Sequence, residues 1–293
     1  MIIAKSVFDG SVAMRRLLLA AAIFGTVSGA QAADMPDLPV LRGGFTDGLS
    51  TAKVNWQGYY IGGQAGYGSS DENFNGTNQS LTAAMLANTV IENDLAVSRW
   101  GLNLGKSSAR SSGYGGFAGY NSQWDDVVIG VEASYLHGSF GGSSSASEER
   151  FFTTPLSDGL YHDVKSSSSD SIAISDMATF RGRAAYAYSS FLPYVFGGLA
   201  LANADITHSV TVVDKYSAVA PPVGAACTPA NCFNPSLTQI QHNHLLYGYT
   251  AGLGVDVNLI GGLFLRAEWE YIRFTSSIDT SVNTVRAGLG YKF

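Results

Sequence analysis

Segments of about ten residues alternate, with a period of two, between an apolar face and a face of small, polar or charged residues, and this restricts the chain more than any other feature. That period belongs to a β-strand. In residues 127–136, Val127, Ile129, Val131, Ala133 and Tyr135 share one face and Gly130, Glu132 and Ser134 the other. In residues 176–186, Ala178, Phe180, Ala184 and Tyr186 oppose Thr179, Arg181 and Arg183. In residues 263–272, Leu263, Leu265, Ala267, Trp269 and Tyr271 oppose Arg266, Glu268 and Glu270. In residues 284–293, Val285, Ala287, Leu289, Tyr291 and Phe293 oppose Thr284, Arg286 and Lys292. The same alternation begins at Trp56 and recurs in residues 247–256, where Tyr249, Ala251, Leu253 and Val255 oppose Thr250, Gly252, Gly254 and Asp256. Residues 114–123 and 192–203 are Gly-rich and apolar on both parities, so their facing is not fixed by pattern.

Eight candidate strands result, each near the ~9–11 residues that a tilted strand needs to cross a membrane. The charges decide what kind of sheet this is. In a water-soluble sandwich the apolar faces meet in a core and charges face out. In a membrane barrel the alternation is inverted and charges fill the lumen. Parity alone does not separate the two, but two further features favour an all-β, closed antiparallel transmembrane barrel. Apolar faces often begin or end with Tyr, Trp or Phe, as interfacial girdles do. Connections alternate in length: 69–113, 137–175 and 204–246 are long and polar, whereas 124–126, 189–190 and 258–262 are short. Long extracellular loops and short periplasmic turns produce that rhythm. Ten strands remain open if part of the first or second long connection extends the sheet.

The first residues read as an address. Arg15 and Arg16 precede an apolar run and then Ala30-Gln31-Ala32, a secretory signal with cleavage expected after Ala32. The expected organisation is a signal peptide at 1–32, a Pro- and Gly-containing periplasmic tether at 33–55, and a barrel at 56–293. Met14 sits just before the arginines, so the first 13 residues are open to an alternative start. Removing Lys5, Asp9, Arg15 and Arg16 leaves 14 basic and 22 acidic residues, a poor composition for nucleic acid. Charged residues make up only 14% of the chain, and 34 glycines and 15 tyrosines accompany them. That suits strands with one greasy and one small or polar face. No later stretch has 18 consecutive apolar residues, which excludes a membrane-spanning helix.

With these segments in view, the chain resembles the alphaproteobacterial porin-like outer-membrane surface antigens, within the wider group of small barrels similar to the OmpA transmembrane domain. The resemblance lies in Trp56-Gln57-Gly58-Tyr59-Tyr60-Ile61-Gly62-Gly63, in Ile129-Gly130-Val131-Glu132, in Arg181-Gly182-Arg183, in Ala267-Glu268-Trp269-Glu270-Tyr271 and in Arg286-Ala287-Gly288-Leu289-Gly290-Tyr291. It implies eight strands, an outer-membrane location, and a structural, porin-like or surface-interacting role. Leu289, Tyr291 and the terminal Phe293 also resemble the recognition signal of the bacterial barrel-assembly machinery. Expected partners are therefore that machinery during biogenesis, outer-membrane lipid and lipopolysaccharide, and an extracellular ligand reached through the loops.

The candidate chemistry is sparse. Glu132, Arg181, Arg183, Arg266, Glu268, Glu270 and Arg286 are expected to form a charge network in a lumen just wide enough for side chains. Buried charges must be paired. The network is read first as structural, and second as a narrow or gated pore. Cys227 and Cys232 are placed to form a disulfide closing a short loop, and without neighbouring His or Asp they make no zinc site. His242 and His244 share a parity but lack a third ligand, so no metal is expected. His137 is read as ending the third strand, His162 and His208 as loop residues. The Ser runs 143–145 and 166–169 read as flexible loop, and 81–91 as a short helix packed on neighbouring loops or offering a contact surface. No G-x-S-x-G marks a nucleophile, so neither an enzyme nor a cofactor is expected. The leading reading is a structural surface antigen, then a narrow porin, then a loop-borne adhesin or ligand binder.

Overall fold

A computed structural model describes residues 54–219, 226–275 and 278–293; the signal peptide and most of the tether lie outside the described residues. The strands are β1 (Gly58–Asn73), β2 (Lys106–Trp124), β3 (Val127–Phe151), β4 (Tyr161–Tyr186), β5 (Phe191–Ser217), the short β6 (Cys232–Phe233), β7 (Ser236–Ile260), β8 (Leu263–Phe274) and β9 (Asp279–Lys292). All pairings are antiparallel. Neighbours run β4-β3-β2-β1-β9-β8-β7-β5, and a β4–β5 pairing joins the ends into a closed ring of eight, with β6 paired only to β5. The last strand closes on the first through the register Tyr60↔Lys292 to Asn73↔Asp279. Closure satisfies every backbone group along the spanning part, which hydrocarbon demands.

The side chains are arranged inside out relative to a soluble sheet. Ile61, Ile129, Val131, Val195, Leu199, Leu253, Val285 and Leu289 are exposed, while Glu132, Arg181, Arg266 and Glu270 are buried. Around this apolar band run two aromatic belts. Tyr59, Trp124, Tyr186, Phe191 and Tyr291 mark the end bearing the short turns. Tyr67, Tyr114, Tyr247 and Trp269 mark the other. The two segments with ambiguous facing are explained by aromatics on the lumen side. Phe117 of β2 and Leu192, Tyr194 and Phe196 of β5 point in, while Tyr114, Val195 and Leu199 point out.

Strands β3, β4, β5 and β7 contain 25, 26, 27 and 25 residues, far more than a crossing needs. Their surplus rises above the membrane as a four-stranded wall on one side of the barrel. The second and third long connections, expected as flexible loops, are thus mostly paired strand. Ser143–Ser145 pair with Ser171–Ser169, and Ser166–Ser169 pair with Val212–Ser209. His162 and His208 lie in β4 and β5, not in loops, and β3 continues past His137 through a register shift between His137 and Phe140. The sheet extends by lengthening strands, so the count stays at eight around the ring. On the outer face of the wall, Ser145, Ser169, Ser209 and Thr238 stand abreast across the four strands. One step higher, Ser147, Ser167, Thr211 and Ser236 do the same.

The first long connection folds over the inner face of this wall. It carries α1 (Gln79–Met85), α2 (Val90–Leu95) and a single 3-10 turn at Val97–Arg99. The one helix expected over 81–91 is therefore two. Thr89 caps α2, its side chain accepting from the Glu92 backbone N–H, and Ala96 in the left-handed region ends it. Leu86, Ile91 and Val97 are buried against Val164 of β4 and Val210 and Val212 of β5. The spaced apolar residues of this segment thus pack against the neighbouring hairpins.

Candidate functional site

The lumen is built from three layers. Toward the short turns, Trp56, Tyr60, Phe117, Leu192, Tyr194, Phe196 and Phe264 form an aromatic layer with Val128 and Ala185. Glycines on adjacent strands make room for these rings: a methyl at Gly290 would meet the Phe264 ring, and one at Gly252 would meet Phe196 and the Trp269 carbonyl. Toward the extracellular end, Phe74, Leu104, Leu136, Phe140, Ile174, Met177, Ile206 and Phe274 form an apolar layer. The charges lie between.

All seven residues expected in the charge network meet here, joined by one carboxylate the sequence reading left out, Asp256. Arg181 spans three acids, with Nη2 2.5 Å from Glu132, Nη1 2.7 Å from Glu268 and 3.2 Å from Glu270. Arg266 lies 2.8 Å from both Glu132 and Asp256. Arg183 donates to Asp256 at 2.7 Å. Arg286 pairs with Glu270. The Tyr60 hydroxyl donates to Glu132 at 2.7 Å and the Tyr194 hydroxyl to Glu268 at 2.9 Å. The guanidinium planes also rest on rings: Arg183 is 3.9 Å from the Tyr194 centroid and Arg266 3.9 Å from that of Phe117. Four arginines thus face four carboxylates, and none of the eight side-chain-bearing residues exposes more than 4% of its surface. Asp256 was visible on the polar parity of its strand. Tyr60 likewise shares the small and polar parity of its strand with Gly62 and Gln64, whereas Tyr194 had no sequence signal, because its segment is apolar on both parities.

The other candidates lie apart from the lumen. Cys227 and Cys232 form a disulfide with Cα atoms 5.2 Å apart, bracing the chain that enters β6. His242 and His244 are exposed and separated by Asn243, which takes a positive φ of 53° at the bulge in β7. His242 approaches Asp205 at 3.5 Å. Among the described residues no group of three His, Cys, Asp or Glu is arranged to hold a metal. In the wall, His162 is buried between two acids, with Nδ1 2.8 Å from Asp214 and Nε2 3.1 Å from Asp158. Burial pushes the Asp214 and Asp163 carboxyls above the usual carboxylate value. At the other end, Leu289, Tyr291 and Phe293 all face outward on the closing strand, the last two rings 5.3 Å apart and edge to face.

Residues 18–293 match the outer membrane protein β-barrel domain family. The chain belongs to that family. Its place is accordingly the outer membrane, and its inverted side-chain pattern is the family's lipid-facing surface. Among characterised proteins it is similar to the 25 kDa outer-membrane immunogenic protein of Brucella ovis, 25% identical over 179 residues. That similarity covers 61% of this chain and 62% of the relative, so the chain spans less than two thirds of that protein's length. Among solved structures it is similar to Ail, the attachment invasion locus protein of Yersinia pestis, at 12% identity and TM-score 0.32, covering 81% of this chain and 100% of Ail. It is similar to Neisserial surface protein A at 13% identity and TM-score 0.35, covering 80% of this chain and 97% of that one. The outer membrane protease OmpT of Escherichia coli is 6% identical with TM-score 0.27, covering 83% of this chain and 100% of OmpT.

Proposed function

We propose that this barrel is a non-conducting structural component of the outer membrane that holds a rigid, antigenic wall at the cell surface. The observation that carries the reading is the filled lumen. An eight-stranded ring leaves space only for side chains, and here that space is occupied by aromatics, paired charges and aliphatics in succession. An ion entering this interior would have to displace a hydrophobic layer before reaching any charge. The neutral balance of the network also offers a permeating ion no net attraction. This disfavours the narrow porin. No catalytic role is assigned to the network, since its groups are committed to one another and sealed from substrate.

We further read Leu289, Tyr291 and Phe293 as the strand that the barrel-assembly machinery recognises. They present an apolar row on the strand that closes the ring.

Planar-bilayer recording of the refolded, full-length chain tests the main reading. The expected trace is flat, indistinguishable from lipid alone. Reproducible unitary steps, together with swelling of liposomes in small sugars, would establish a pore and overturn it.

A further inference from the structure

The outer face of the wall is unusual in what it lacks. Its two hydroxyl rows continue downward into Ser143, Ser171 and Thr207, which stand abreast with the exposed Ile240 of β7 closing the third row. No carboxylate and no cation interrupts the three rows, although the chain carries an excess of acidic residues. Charges resume only at the margins, with Asp205 below and the cross-strand pair Glu149↔Lys165 above. Serine is not among the residues that favour strands, and a face meant only for water is normally rich in Lys and Glu. Some hydroxyls already bond sideways, Ser209 to Thr238 at 3.0 Å and Thr211 to Ser236 at 2.9 Å. The result is an array with hydroxyls ~4.8 Å apart across strands and ~7 Å apart along them.

Height identifies what this face meets. The array continues the lipid-facing surface of the same strands. Thr207 lies six residues beyond Leu201, the partner of girdle residue Tyr247. At ~3.4 Å per residue and a tilt of ~40°, that places the lowest row about 16 Å above the upper belt and Thr211 about 26 Å above it. The headgroup zone of one leaflet is only ~5–8 Å deep. In a phospholipid leaflet the array would face bulk water. In a leaflet of glycolipid it faces sugar.

We propose that this hydroxyl array is a docking surface for the saccharide of the outer-leaflet glycolipid, lipopolysaccharide. It exchanges hydrogen bonds with sugar hydroxyls and, by carrying no carboxylate, avoids repelling the acidic inner sugars. The proposal goes beyond the sealed-lumen reading and does not depend on it.

The test is site-specific protection of a thiol. Ser169→Cys places a cysteine in the centre of the array and Ser157→Cys a control at the hairpin tip; the native cysteines stay bonded to each other. Each full-length variant is reconstituted in vesicles containing lipid A, which lacks the core saccharide, or lipopolysaccharide with its core. Maleimide labelling at 169 should slow at least about tenfold with the core saccharide, and labelling at 157 should change by less than about twofold. Adding Ser145→Asp and Ser209→Asp should restore fast labelling at 169. The proposal is overturned by equal rates at 169 in both vesicles, by equal slowing at both sites, or by protection that survives the added carboxylates. Slowing accompanied by disulfide-linked pairs through residue 169 would point to a second copy of the chain and would overturn it too.

Discussion

At the scale of single residues, Glu132 is the most connected group in the lumen, with Arg181, Arg183 and Arg266 all within 3.4 Å. Glu132→Gln keeps the volume but leaves three guanidiniums sharing one fewer charge. Removing one partner of a buried pair costs about 3–5 kcal/mol, so urea unfolding in lipid vesicles should shift by that order. Glu268→Gln should cost less, because Arg181 keeps Glu132 and Glu270. Neither variant should conduct, because the aromatic and apolar layers on either side stay in place. Phe293 behaves oppositely. It is 74% exposed and touches mainly the Tyr291 ring. Phe293→Ala should change unfolding in vesicles by less than about 1 kcal/mol. If Phe293 is read by the assembly machinery, the same change should sharply lower the amount of folded barrel recovered from cells. Equal losses in both measurements would make its role structural only.

At the scale of elements, the spanning part of each strand was legible and its extension was not, for one reason. Residues 127–136 or 263–272 alternate between lipid and lumen, two environments so different that Leu265 and Arg266 cannot exchange places. In the wall, one face turns outward and the other meets a mixed interior, and serine serves on both: Ser166 and Ser168 point in, Ser167 and Ser169 point out. Period two leaves no trace when both faces accept the same residue. The charge network was readable for the same reason as the strands, and Asp256 shared its parity. The wall also holds the acid-sensitive groups. Burial raises the Asp163 and Asp214 carboxyls above the ordinary aspartate range. A raised folded-state value means the folded wall binds more protons than the unfolded one in that window. Their contribution is therefore greatest below about pH 4 and is lost as pH rises through the raised values. Amide exchange in 161–164 and 212–216, compared at pH 4.5 and 7 after correction for intrinsic rates, should show relatively greater protection in acid. Asp214→Asn should flatten that difference. Unchanged pH dependence in this variant would assign the effect elsewhere.

At the scale of the whole molecule, two bodies of different physics share four strands. The barrel is held by lipid, by closure and by a charge network sealed between hydrophobic layers. The wall is held by strand pairing and by the cap, whose Leu86, Ile91 and Val97 cover Val164, Val210 and Val212. Asn78 ties the cap further, its side-chain amide donating to Asp170 at 2.6 Å. The upper apolar layer nevertheless takes most of its members from the strands themselves, with Phe74 and Leu104 at the cap's two roots. Replacing residues 77–102 by a short Gly-Ser turn should therefore leave Phe74 and Leu104 in place. The barrel should still migrate as a folded, heat-modifiable species and should stay closed in bilayers. The wall should not survive equally. Val164, Val210 and Val212 would face water, and each fully exposed side chain of that kind forfeits roughly 1.5–3 kcal/mol. Limited proteolysis should then cut within the paired segments 143–151, 161–170, 205–217 and 236–240, which the intact chain should protect. If those cuts do not appear, strand pairing alone holds the wall; if the spanning strands unfold as well, the two bodies are one cooperative unit.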